Sequence, residues 1–458
     1  MEKEERAYRA HALVLPYHGQ GHMNPMVQFA KRLASKGIKI TVATTSSNVM
    51  SVQASSYSIT FESIYDDYTE GGVAGPGGFK GFLDRFEASG AKSLTQLILK
   101  HQTTEFPVKC LVYDANIKWA VDVATKLGVS RAAFFTQSCA AIASYYPMHC
   151  DLSSEPISLP DFPITGIPKL KVPNLPSLGS DTGRYAPIIL HILSQFDNID
   201  KADWVLFNSF LKLEEEIVDW LSKLWRVRTI GPTVPSVYLD KRLETDNGYG
   251  FHIYKPNTTT CLNWLNTQKT GSVVYVSYGS AASLSAEQMT QIAEALRRCS
   301  CSFLWIVKPT EESKLPGNFR EETAEKGIVV SWCPQLEVLA HHAIGCFVSH
   351  CGWNSTMEAI SFGVPMVAMP QFLDQIYNAH FVEQVWGVGI VPREDENGLI
   401  LSDEINRCIT ELMEGKNRGQ DIKKNAIRWK ELAKEAISEG GDSDKCILDI
   451  VSELVASS

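Results

Sequence analysis

The sequence predicts an α/β protein of two domains, each a parallel sheet with helices on both faces. Three observations carry this. A chain of 458 residues is too long for one ordinary core. Short apolar runs alternate with amphipathic helical stretches, the βαβ rhythm of buried parallel strands. The rhythm breaks once, over 231–261, where GPTVPSVYLDKRL is followed by NGYG and KPNTTT.

Taken in order, HALVLP (11–16), IKITVAT (38–44), KCLVYD (109–114), RAAFFT (131–136) and DWVLFNS (203–209) read as buried strands. Helical patterns over 24–36, 78–102 and 138–149 lie between several of them. After the break come SVVYVSYGS (272–280), CSFLWIV (301–307), GIVVSW (327–332), GCFVSH (345–350) and PMVAMP (365–370). The tail is helical over 402–414, about 419–439 and 443–456. The expected division is a first domain over 1–240, a linker over 231–261, a second domain over 262–440 and a final segment over 441–458. Ligands are expected at the carboxyl ends of the strands.

Composition narrows the class. With 44% hydrophobic and 21% charged residues the chain reads as an ordinary globular protein. Forty-three basic against 52 acidic residues give a net charge of −9, interspersed, which argues against a nucleic-acid partner. The start, MEKEERAYRA, lacks the apolar core of a signal peptide, and no long uncharged apolar stretch suggests a membrane span. Eleven cysteines without a CxxC pair are expected to be reduced and buried. The expected setting is the cytoplasm and the expected state a monomer.

The chemistry is sought in three turns. HGQGHMN (18–24) follows a strand and opens a helix, as a dinucleotide loop does, but Asn24 holds its third glycine position. No Asp or Glu occurs from 38 to 61, where a nicotinamide cofactor needs a ribose-binding acid, so an oxidoreductase is disfavoured. Glycines at 19 and 21 allow close approach to a ligand, and either His18 or His22 suits a general base. Asp114 ends another strand of the same sheet, so it is the expected partner of that base. In the second domain GSAAS (279–283), with Ser280, and SHCGWNST (349–356), with His350, Gly352, Asn354 and Ser355, also follow strands. Amides, hydroxyls and an imidazole there suit a diphosphate.

Other features point to structure. Asp442-Ser443-Asp444 has the DxD form of some metal-using transferases, but it precedes a helix and reads as a cap. His341-His342 lacks metal-ligand spacing, Asp66-Asp67 reads as loop, and KLEEEIVDW reads as a solvated helix. No metal is expected.

The run WCPQLEVLAHHAIGCFVSHCGWNSTMEAISFGVPMVAMPQFLDQ, over 332–375, closely resembles the plant secondary-product glycosyltransferase signature at its full length. QGHMNP, VYDANIKWAVDVA and FFTQSC are similar to that family as well, and GPTVPSVYLDKRL and EGGDSDK look like its branch acting on small carboxylic acids, phenolics, terpenoids and steroids. The resemblance implies a GT-B fold of two facing Rossmann-like domains, with the last helix returning to the first. The second domain would hold UDP-glucose and the first a hydrophobic small-molecule acceptor. Trp332 would stack on uracil, with Cys333 and Gln335 near base and ribose and Glu358 on the ribose hydroxyls. His350, Ser280, Asn354 and Ser355 would hold the diphosphate. Trp353, Asp374 and Gln375 would contact the sugar, and Thr136 its far hydroxyl.

The family histidine falls at His22, beside Gly21. His18 stands where many members carry a non-ionisable residue. Tyr278, Phe372, Leu373 and Tyr377 also depart from the family pattern, on the acceptor side. Tyr145, Tyr185, Ile188, Phe196 and Ala281 suggest an apolar acceptor wall. The expected reaction is inverting O-glucosylation of a steroid, triterpenoid, flavonoid or other phenol. Ester formation on a small acid is the alternative, and a non-catalytic UDP-sugar-binding protein is disfavoured by the His–Asp pair.

Overall fold

The computed structural model describes residues 8–45, 59–64, 78–152, 186–244, 246, 248–251, 253–415 and 418–456. Tyr185, Asp66 and Asp67 lie outside them. The chain forms two compact units, 1–251 with 436–458, and 252–435. The division thus falls at Phe251/His252, within the proline- and glycine-rich stretch, and the return begins inside a helix.

The first unit runs β1 (Ala10–Leu15), α1 (Gln20–Ser35), β2 (Ile38–Thr44), β3 (Ile59–Ser63), α2 (Gly78–Gln102), β4 (Val108–Asp114), α3 (Ala120–Lys126), β5 (Ser130–Phe135), α4 (Cys139–Leu152), α5 (Ala186–Leu193), β6 (Trp204–Phe207), α6 (Glu215–Leu221) and β7 (Val227–Thr229). Its seven strands are parallel, in the order β3-β2-β1-β4-β5-β6-β7. The second runs α7 (Thr258–Asn266), β8 (Val273–Ser277), α8 (Ala286–Arg298), β9 (Ser302–Ile306), α9 (Phe319–Glu322), β10 (Gly327–Val330), α10 (Gln335–Leu339), β11 (Ile344–Ser349), α11 (Trp353–Phe362), β12 (Met366–Ala368), α12 (Asp374–His380), β13 (Gly389–Ile390), α13 (Ser402–Glu414) and α14 (Arg418–Ile437). Its six parallel strands repeat the pattern, β10-β9-β8-β11-β12-β13. The last helix, α15 (Asp442–Ala456), lies against α1 and β7 of the first unit.

The α/β reading with parallel sheets is borne out because the central strands are buried on both faces. Three strands were not legible: β3 is only half-buried, and β7 and β13 are three and two residues long. Helix α1 begins at Gln20, four residues earlier than its apolar pattern, so His22 sits in its first turn. Glu214 corrects the solvated reading of KLEEEIVDW. It is buried, its carboxylate accepts from the Cys139 and Ala140 amides at 3.2 and 2.8 Å, and it caps α4.

Around Asp240, Arg242 and Asp246 the connection is fixed by charge. Lys31 of α1 donates to Asp246 at 2.8 Å and to the Gly248 carbonyl at 2.7 Å. Arg32 grips Asp240 through two bonds, at 2.5 and 2.9 Å. Arg242 joins Asp240 to Asp444, at 2.7 and 2.8 Å, and Lys36 also reaches Asp444. Asp444 further accepts from the Gly440 amide at 3.1 Å, so the DxD segment is a structural cap. Burial opposes ionisation of Asp240, but Arg32, Ser236 and Arg242 hold its pKa down at about 2. A carboxyl depressed from about 3.9 stabilises fully above that value and loses its contribution as pH falls through about 4 to about 2. Urea denaturation at pH 7 and pH 3 is therefore expected to give a lower midpoint at pH 3, with Asp240→Asn narrowing the difference. An unchanged difference in that variant would rule this role out.

Candidate active site

Each sheet reverses its strand order once, between β1 and β4 and between β8 and β11. Loops at the carboxyl ends beside such a reversal open to ligand. In the first unit they carry His22 and Asp114. The imidazole Nδ1 lies 2.6 Å from the Asp114 Oδ2, with side-chain exposures of 28% and 1%. The other carboxylate oxygen accepts from the Asn116 amide and side chain, both at 3.0 Å, which fixes the turn after β4. Burial pushes the Asp114 pKa up, but the adjacent His22 and the hydrogen bonds from His22 and Asn116 bring it below the usual range. The ionised carboxylate assigns the imidazole proton to Nδ1, leaving Nε2 as the basic nitrogen.

Around this pair stands an aromatic cluster. Tyr17 lies tilted against His18 and His22, with centroids 4.2 and 5.3 Å away, and His191 lies 5.9 Å from it. Phe82 and Phe86 face His18 at 5.7 and 5.9 Å, and Trp119 meets Phe86. Burial, and to a lesser extent His22, lowers His18 to a pKa of about 4; His191 is lowered to about 4, chiefly by burial. His18 is thus a neutral member of an apolar wall, whereas His22 is the imidazole on the carboxylate. Thr136 places its Oγ1 3.1 Å from the His22 Nδ1, a contact the sequence did not reveal.

In the second unit the two diphosphate-type turns meet on His350. A Cβ at Gly279 would lie 2.7 Å from its Cε1, and one at Gly352 2.4 Å from its Nε2. Only glycine lets the GSAAS and HCGWNS turns close on the imidazole from both sides. Burial lowers His350 to about 4, so it is neutral here. Gly352 caps α11, Asn354 and Ser355 lie in its first turn, and Ser280 is exposed.

Trp332 lies beside Tyr254, ring centroids 5.3 Å apart. Gln335 donates to Ser355 at 2.9 Å and Glu358 at 2.7 Å, and accepts from Tyr275 at 2.9 Å. Tyr275 also reaches Cys333 at 3.2 Å. Trp332, Cys333, Gln335, Ser355 and Glu358 therefore cluster, with Tyr275 as a member the sequence did not single out. Trp353 is buried against Trp386. Asp374 and Gln375 open α12, and the Gln375 side-chain oxygen accepts from the Gln371 and Phe372 amides at 2.9 and 3.3 Å.

The suggested acceptor residues divide. Ile188 and Ala281 are exposed and Tyr145 is buried. Phe196 instead packs among Phe135, Tyr146, His149 and Trp225, a core position that takes it out of the wall. Tyr377 is buried, and Phe372 packs against the hydrophobic core of the second unit. The His341 and His342 rings lie tilted against each other, centroids 4.5 Å apart. All eleven cysteines are free, nine of them buried. Among the described residues, no three His, Cys, Asp or Glu side chains gather as a metal site, and no helix is long and apolar enough to cross a membrane.

Two Rossmann-like units, each with polar loops at its strand-order reversal, define a nucleotide-binding α/β protein. The UDP-glucoronosyl and UDP-glucosyl transferase family matches over residues 207–436. The chain is 47% identical to UDP-glucosyl transferase 74CD1 of Saponaria officinalis, covering 96% of each sequence. It is 43% identical to a flavonol 7-O-beta-glucosyltransferase of Arabidopsis thaliana, over 97% of this chain and 98% of that one. Among solved structures, Os79 from O. sativa in complex with UDP matches with a TM-score of 0.86 and 37% identity, over 97% of this chain and 100% of that one. The chain belongs to the plant UDP-glycosyltransferases. It has their GT-B fold and is a UDP-sugar-dependent glycosyltransferase.

The His350 clamp yields a test. Gly352→Ala, whose Cβ meets the imidazole, is expected to weaken UDP binding at least about tenfold, the cost of one lost charge-assisted contact. Calorimetric titration with UDP measures it. Wild-type affinity in a folded variant would show that the two turns need not close on His350.

Proposed function

We propose that the protein transfers glucose from UDP-glucose to a hydroxyl of a hydrophobic plant small molecule, with inversion at the anomeric carbon. The observation that carries this reading is the 2.6 Å contact between His22 and the buried Asp114. His22 Nε2 removes the acceptor hydroxyl proton as that oxygen bonds to the anomeric carbon. The bond from that carbon to the phosphate oxygen breaks, and UDP departs with the electron pair from the opposite face. The α-linked donor thus gives a β-glucoside. Asp114 holds the Nδ1 proton and stabilises the imidazolium that forms.

The donor lies in the second unit. Trp332, Cys333, Gln335 and Glu358 take the nucleoside, and His350, Ser280, Asn354 and Ser355 the diphosphate. Trp353, Asp374 and Gln375 take the sugar. Helix amides and side-chain donors, rather than a metal, meet the charge developing on UDP. The names of the similar glucosyltransferases support glucose as the sugar, one of them an O-beta linkage to a flavonol. The aromatic cluster around His22 supports an apolar acceptor such as a flavonoid, steroid or triterpenoid.

His22→Ala is expected to lower kcat on hydroxyl acceptors by about 10²–10⁴-fold, the usual contribution of a positioned base. UDP affinity should stay within about twofold. Turnover near wild type on those acceptors would sink the assignment. On a benzoate, already ionised, the loss should be far smaller; a benzoate turned over best by the wild type would favour the ester-forming reading. EDTA should leave activity unchanged, and inhibition reversed by Mn²⁺ would contradict the metal-free mechanism.

A further inference from the structure

One side chain joins the two parts of the second unit that the proposed function assigns separately to sugar and phosphate. Asn378 lies on α12, one helical turn after Asp374 and on the same face. It is 1% exposed. Its Nδ2 donates to the Asp374 Oδ2 at 2.9 Å and to the Cys351 carbonyl at 2.9 Å. Both partners sit beside left-handed backbone. Cys351, between His350 and Gly352, has φ +59°, and Leu373, immediately before Asp374, has φ +56°. Neither is glycine, and such conformations persist where surrounding contacts impose them. The Asn378 amide contacts one of these turns and the residue that follows the other.

We propose that Asn378 is a positioning residue that locks the Asp374 carboxylate to the turn after β11, and that this lock sets selectivity for the donor sugar. The inference rests on the reading that Asp374 and Gln375 contact the sugar and His350 to Ser355 the diphosphate. UDP alone uses the phosphate turn, whereas the hexose also needs Asp374 in place. Loss of the amide removes one donor from the half-buried Asp374 carboxylate and one from the buried Cys351 carbonyl. The carboxylate then turns away from its sugar-facing position. A residue that only supported the fold would weaken UDP and UDP-glucose alike.

The test compares Asn378→Ala with wild type on UDP, UDP-glucose and UDP-galactose. For Asn378→Ala, kcat/KM with UDP-glucose should fall at least about tenfold, and the glucose-to-galactose ratio at least about fivefold. The Kd for UDP should change less than about threefold, with the melting temperature lowered by only a few degrees. Asn378→Asp, which sets an oxygen against both acceptors, should lose more than the alanine variant. Should the alanine variant fail to fold, Asn378→Ser, which keeps one donor, serves the same comparison. A folded variant with an unchanged sugar ratio would overturn the proposal. So would equal losses for UDP and UDP-glucose. Asp374→Ala, run in parallel, separates the two claims. If it too leaves the sugar ratio unchanged, the donor assignment fails. If it erases the ratio while Asn378→Ala does not, only the role of Asn378 fails.

Discussion

A parallel sheet whose strand order reverses cannot have both neighbouring crossovers on one face, so a crevice opens at the carboxyl ends of the two strands beside the reversal. Both sheets of this protein meet that constraint between the first and fourth strands of their own set. The chemistry follows from it. Residues at the tips of β1 and β4, or β8 and β11, are held by buried strands at the end of the sheet where such a reversal opens. Rigid support and ligand access coincide at few other places in such a fold.

The first crevice uses its position to bury a carboxylate. An unpaired charge at the depth of Asp114 would cost about 3–5 kcal/mol, so the carboxylate needs its partners. Asn116 supplies two hydrogen bonds from its own turn, and His22 supplies the third from the first turn of α1. The requirement works in both directions. Asp114 fixes the ring and proton of His22, while the aromatic residues around Tyr17 bound the apolar side. The second crevice uses neutral geometry, with two glycines closing on His350 and Gln335 bridging three side chains.

Much of this was legible in the sequence because strand ends can be read from where apolar runs stop. KCLVYD stops at Asp114 and GCFVSH near His350, so both residues could be placed at the carboxyl end of a strand. The choice between His18 and His22 needed the family position; in the structure His22 lies 2.6 Å from the carboxylate, while His18 packs beside Phe82 and Phe86. Contacts made at long range left no local signal. Thr136 beside His22, Glu214 capping α4 and Asn378 on the Cys351 carbonyl each join residues that no periodicity connects. Phe196 shows the reverse failure, since an aromatic residue in a variable stretch reads equally well as wall or core.

The proposed role of His22 as a base depends on the buried Asp114 carboxylate, and Asp114→Asn tests this most directly. The substitution keeps the size of the side chain and removes its charge. If Asp114 sets the tautomer and stabilises the imidazolium, kcat on hydroxyl acceptors should fall by about 10³–10⁴-fold in a folded protein that binds UDP normally. A kcat within about threefold of wild type would contradict it, because His22 would then need no carboxylate to act.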